Sequence, residues 1–164
     1  MRLRFETMTS PYLVESVVES PVGLIVSESR GRVNAMTVSF FSEVAHHPTS
    51  LWVSINKQSL THELVLESGR FSLIVLHEEQ KEIALFCGTV SGRDCDKCSR
   101  LALYRGSQGL LHLEHALASV ACRVSETRDL GDHTLFLAAI LGGEFDSRQT
   151  FRRHLLTTDL ASPK

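Results

Sequence analysis

With 164 residues, 43% of them apolar and 22% charged, the chain is long enough for one domain with a sizeable core of its own. Seventeen basic residues against nineteen acidic ones leave a formal charge of −2, too even a balance for charge-driven binding to nucleic acid or a membrane surface. The longest apolar run, Leu135 to Leu141, has seven residues and is too short to cross a bilayer. No apolar segment follows the N-terminal stretch Met1 to Glu6 in the manner of a secretory signal. A cytoplasmic protein is therefore expected, with Cys87, Cys95, Cys98 and Cys122 as reduced thiols.

Along the chain, Leu24-Ile25-Val26 is a short strand, and the polar stretch Ser27 to Arg32 predicts a hairpin into a second arm, Val33 to Phe40. That arm scatters Asn34, Thr37 and Ser39 among apolar residues. Leu51 to Asn56 alternates with period two, placing Leu51, Val53 and Ile55 on one face and Trp52, Ser54 and Asn56 on the other. A helix follows, with Ser59 or Thr61 as N-cap, Glu63 in its first turn and Gly69 at its end. Phe71 to Leu76 returns as a strand, and Glu78 to Phe86 reads as a second helix followed by Gly88. Ala118 to Ser125 alternates again, Arg128 to Asp132 is a turn, and His133 to Leu141 is a strand closed by Gly142-Gly143. Strands at this spacing predict a mainly-β (α+β) fold over residues 1–145, a small antiparallel barrel rather than a sandwich. Residues 146–164, with Arg148, Arg152, Arg153 and His154, are expected to form a polar tail, either a surface helix or loosely held. No Gly-rich dinucleotide fingerprint is present.

Two stretches suggest a ligand. Asn56 to Thr61 joins a strand to a helix N-terminus, whose free N–H groups and dipole favour an anion. Lys57, Ser59, Thr61 and the Asn56 amide stand within six residues of one another there, a set suited to a phosphate monoester, although a capped helix with a solvated lysine has the same residues. The small and hydroxylated side chains of Asn34 to Ser39 would leave the backbone open to a flat heterocycle; the bland reading is a strand with polar residues facing solvent. Cys95-x-x-Cys98 is half a zinc site, wanting Cys87 and a histidine such as His77 or His112, or alternatively a redox dithiol. His112 and His115 lie in a strand-like stretch, which separates their rings. His133, between a turn and an apolar strand, is either a satisfied structural residue or a polar group aimed at a cleft. No Gly-x-Ser-x-Gly elbow supports a hydrolase.

Four stretches, in this order and spanning about residues 20–145, resemble the flavin reductase-like family of FMN-binding split barrels: Asn34 to Ser39, Ile55 to Leu64, Gly88 to Lys97, and Gly131 to Phe136. The resemblance implies a six-stranded antiparallel Greek-key split barrel with short flanking helices. It also implies a homodimer, FMN (or FAD) near the subunit interface, and NAD(P)H as electron donor. On this analogy Asn34, Ala35, Met36, Thr37, Val38 and Ser39 run along the isoalloxazine, and Asn56, Lys57, Ser59 and Thr61 hold the phosphate and ribityl chain. Ser91, Arg93 and Lys97 belong to a second flavin-side loop, and His133 is the catalytic-site residue facing the nicotinamide or the dimer cleft. The sequence departs from the pattern in carrying Cys95 and Cys98, and in lacking a Pro-Leu-x-Tyr-like ending. The activity implied is an NAD(P)H:flavin reductase. The alternatives are an FMN-binding electron carrier or flavin store exchanging electrons with a redox protein, and a zinc-stabilised module built around the two cysteines.

Overall fold

The computed structural model describes residues 18–149 and 151–160. β1 (Gly23–Ser29) and β2 (Arg32–Val38) form a hairpin whose two turn residues, Arg30 and Gly31, both have positive φ, 50° and 75°. That pair of angles matches the right-handed twist of the flanking strands. β3 (Phe41–His46) and β4 (Thr49–Asn56) form a second hairpin, followed by α1 (Leu60–Ser68) and β5 (Arg70–Val75). After α2 (Lys81–Thr89) come the short β6 (Leu103–Arg105) and β7 (Leu111–Leu113), then the long pair β8 (Ala118–Asp129) and β9 (His133–Phe145), and finally α3 (Thr157–Leu160).

Seven strands make one antiparallel sheet in the order β2-β1-β5-β8-β9-β4-β3. Its two edge strands, β2 and β3, are separated in the chain only by Ser39 and Phe40. The sheet must therefore curl until its edges meet, which gives a barrel split between β2 and β3. The Phe40 carbonyl accepts from Ser54 N–H (2.9 Å), which carries the β3–β4 pairing one residue toward β2. Six strands were expected; β3 and the β6–β7 hairpin are additional. β3 is paired on one side only, is mostly exposed, and has a bulge between Glu43 and Ala45, so no inward-facing alternation marks it in the sequence.

Period two sorts the core. Ile25, Leu51, Val53, Ile55, Phe71, Leu73, Cys122, Phe136 and Ala138 form one buried cluster with Val65 of α1. Their neighbours Leu24, Val26, Ala35 and Ile74 point the other way, into a second cluster with Ala84 and Cys87 of α2 and with Leu113. Leu155 completes that cluster. The segment after residue 145 is thus not loosely held throughout: Leu155 is fully buried, its N–H donates to Leu76 O (2.9 Å), and its carbonyl accepts from Val22 N–H (2.7 Å). Among the described residues no helix is long and apolar enough to cross a membrane.

Candidate functional site: a cleft between two helix ends

At the end of β4 the chain turns into α1 around Asn56. Its Oδ1 accepts from Gln58 N–H (2.8 Å), and its carbonyl accepts from Ser59 N–H (3.1 Å) and from the Ser59 hydroxyl (2.9 Å). Ser59 is the N-cap, in extended conformation (φ −75°, ψ 144°), and its Oγ accepts from His62 N–H at 3.1 Å. The Leu60 and Thr61 N–H groups lie in the first turn, where a helix offers no acceptor of its own, and form its anion-favouring end. The side chain of His62 turns inward, its Nε2 2.8 Å from the Thr134 hydroxyl and its ring edge-on to Phe136. Burial, with Lys57 adding to it, pushes its pKa down.

Facing this start is the end of α2 and the loop after it. Val90 N–H closes the helix on Phe86 O (3.2 Å), and Ser91 O accepts from the N–H groups of Asp94 and Cys95, both at 3.2 Å. β2 forms the floor. There the buried Asn34 donates Nδ2–H to Thr61 Oγ1 (2.9 Å), and the Thr37 hydroxyl donates to Ala84 O (2.5 Å). The loop lies so close on this strand that a Cβ at position 92 would stand 2.2 Å from Asn34 Oδ1, and one at position 88 would stand 3.3 Å from Thr37. Glycine at these positions is what permits the approach.

These elements wall a cleft of about 360 Å³. Of the residues expected from sequence, Asn34, Met36, Thr37, Asn56, Ser59, Ser91 and Lys97 line it. The others are placed elsewhere. Ala35 and Val38 turn their side chains into the core, Ser39 lies just past β2, and Thr61, fully buried, holds Asn34 from behind. Lys57 reaches outward to Asp129 (Nζ to Oδ1, 2.7 Å). Arg93 reaches Glu63 (3.1 Å) and lines an adjoining cavity together with Cys95 and Cys98. His133 pairs with Asn56 across the sheet, with Nδ1 3.0 Å from Asp132 Oδ1 and its ring 6.0 Å from that of Phe40. Gln58, Leu60, Cys87, Gly88, Thr89, Val90 and Gly92 also line the cleft and were not among the residues expected to hold the flavin. Gly88 and Gly92, four residues apart, were the available signal, since such a pair at a helix end marks a close backbone approach.

The charge in the cleft belongs to Lys97. Its side chain is buried (3% exposed) and Nζ donates to Cys87 O (2.9 Å), one of the carbonyls that α2 leaves without an internal partner. Burial lowers its pKa. Burial also drives the thiols of Cys87 and Cys98 up to about 11, so at neutral pH neither is an anion. Among the described residues no carboxylate pairs with Lys97. A buried ammonium with one of its three N–H groups used, facing a helix N-terminus across a cleft, suits an anionic ligand.

Residues 16–159 match the flavin reductase like domain. The chain belongs to that family. Among the family's curated members, it is 34% identical over 117 residues to the NADH-dependent flavin reductase StyB of Pseudomonas fluorescens, a match covering 71% of this chain and 66% of StyB. It is 30% identical over 135 residues to the ferric-chelate reductase (NAD(P)H) of Archaeoglobus fulgidus, covering 80% of each. Among solved structures, the FMN-binding protein from Thermus thermophilus superposes with a TM-score of 0.83 at 25% identity, over 95% of this chain and 90% of that one. The mainly-β, barrel-like architecture of the family is the fold described above.

Proposed function

We propose that the chain is an NAD(P)H-dependent flavin reductase that holds FMN, or FAD by its FMN half, in the cleft between α1 and α2. The observation that carries the reading is the pairing of a buried ammonium, Lys97, which has no carboxylate partner among the described residues, with the open start of α1 in one cleft floored by a strand. The names of the relatives, an NADH-dependent flavin reductase and an NAD(P)H ferric-chelate reductase, support the reaction class. A bound flavin supplies the redox chemistry, accepting hydride from a nicotinamide and passing electrons onward. The chain supplies position and field. The Leu60 and Thr61 N–H groups and the Ser59 region hold the phosphate, and β2 presents its backbone from Asn34 to Ser39 along the ring. Ser91 and the Gly88–Gly92 backbone close the opposite side. Lys97 lowers the energy of negative charge in the cleft. His133, fixed by Asp132, orients the nicotinamide from the β9 side, and Lys57 and Arg93 stay outside, on Asp129 and Glu63. A second copy of the chain packs over the exposed Phe40, Val44 and Leu130 and completes the cleft, and the protein works in the cytoplasm.

Anaerobic addition of NADH or NADPH to FMN-loaded protein tests this. Loss of the oxidised-flavin absorbance within seconds is expected. Flavin that keeps its colour with both donors but bleaches with a reduced redox protein would turn the reading toward an electron carrier, for which Cys95 and Cys98 beside the cleft would be a relay. Sedimentation as a monomer would remove the second copy.

A further inference from the structure

A second cavity, of about 500 Å³, lies at the far end of β9 from His133, walled by Tyr104, Glu114, Ser119, Glu144, Phe145 and their neighbours. Its polar centre is Glu144. The Tyr104 hydroxyl donates to Glu144 Oε2 (2.8 Å), and Ser107 N–H points at Oε1 from 3.4 Å. Behind them is His112, on β7 opposite Tyr104, only 1% exposed and with neither ring nitrogen partnered among the described residues. Imidazole and carboxylate close on the same backbone position: a Cβ on Gly106 would meet His112 Nε2 at 2.8 Å and Glu144 Oε1 at 3.0 Å.

The charges around this carboxylate are unequal. Asp146 is taken by Arg148 through two bonds, of 2.9 and 3.0 Å. Burial lowers the pKa of His112, which keeps it neutral at pH 7, so the base behind Glu144 is no counter-ion. Tyr104 is driven up to about 12 by burial and by Glu144, so it remains a protonated donor. Glu144 thus keeps its charge with donors around it and no ion pair among the described residues, since Arg148 in the same wall is held by Asp146; Glu114 adds a second carboxylate, and Phe145 is 72% exposed at the rim. Carboxylates set among aromatic faces are the surroundings that an organic ammonium seeks.

We propose that this cavity is a second ligand site, which takes a small organic ammonium through Glu144 and packs the ligand's apolar body against Tyr104 and Phe145. The site is separate from the flavin cleft, so its test stands whatever binds there. The full chain, loaded with FMN and free of it, is titrated calorimetrically with phenethylamine and with its neutral counterpart, phenethyl alcohol. Saturable binding of the amine is expected, with the alcohol weaker by about tenfold or more. Glu144→Gln erases that preference while FMN binding is retained, and Lys97→Met leaves it in place. Equal binding of amine and alcohol, no saturable amine binding, or an unaltered preference in Glu144→Gln overturns the proposal. Should Glu144→Gln not fold, Tyr104→Phe decides: amine affinity falls several-fold, and an unchanged affinity overturns the site.

Discussion

The two helix ends that face each other across the cleft solve opposite problems with the same residue type. At the start of α1, Lys57 follows the strand and stands within four residues of Thr61, where sequence reasoning puts a phosphate anchor. Its ammonium turns outward to Asp129, 72 residues away in the chain. At the end of α2, Lys97 turns inward, is buried, and caps a carbonyl while no carboxylate among the described residues pairs with it. What separates the two is solvent and counter-ion. An exposed ion pair contributes only about 0–1 kcal/mol and leaves little field for a ligand, whereas a buried ammonium keeps its field. Side-chain type near a helix N-terminus therefore does not by itself tell which cation lines the cleft.

The contrast between the two ends can be broken at its floor. Gly92→Ala forces Asn34 away from Thr61 and is expected to have the largest effect, about 1–3 kcal/mol of overpacking together with loss of the Asn34–Thr61 bond, seen as lower thermal stability and weaker FMN retention. Thr61→Val leaves the loop in place but orphans the buried Asn34 Nδ2–H, an expected cost of about 1–3 kcal/mol in urea denaturation. Ser59→Ala removes the cap on His62 N–H and the hydroxyl's bond to Asn56 O, about 1 kcal/mol by the same assay.

A smaller and more diffuse effect comes from pH. His62, His77 and His112 are all held below the usual histidine value, with burial the first cause in each. The unfolded chain therefore takes up protons before the folded one as pH falls. Stability is full above about pH 6.5 and declines as the pH drops from there toward the depressed folded values. The melting temperature should be lower at about pH 5 than at about pH 8, and less so in His112→Leu, which also removes two orphaned nitrogens. Equal melting temperatures at the two pH values would contradict the burial of these rings.

Local features of the fold were legible because local physics sets them. The alternation of β4, a cap at Ser59 or Thr61, the Gly69 stop and the Gly31 turn can all be read within a few residues, and the structure has each of them, with Ser59 as the cap. The long-range pairings were not legible. Asn34 with Thr61, Lys57 with Asp129 and Leu155 with Val22 and Leu76 depend on how the sheet closes, and no residue near them in sequence carries that information. A small barrel was expected from the spacing of the strands, and the four family stretches made it a split barrel. The cleft was half-visible for the same reason: its polar side chains stand out in a sequence, while the backbone of Gly88 to Gly92 and the inward turn of Lys97 do not.

The central claim, that the cleft binds flavin and that Lys97 rather than Lys57 provides its charge, is tested most directly by parallel FMN titrations of the wild type, Lys97→Met and Lys57→Ala, followed by flavin fluorescence. The expected result is a loss of about 1.5–3 kcal/mol of FMN binding in Lys97→Met against less than about 1 kcal/mol in Lys57→Ala, with riboflavin, which lacks the phosphate, weaker than FMN in all three. Unchanged FMN binding in Lys97→Met, with the larger loss in Lys57→Ala, would contradict it.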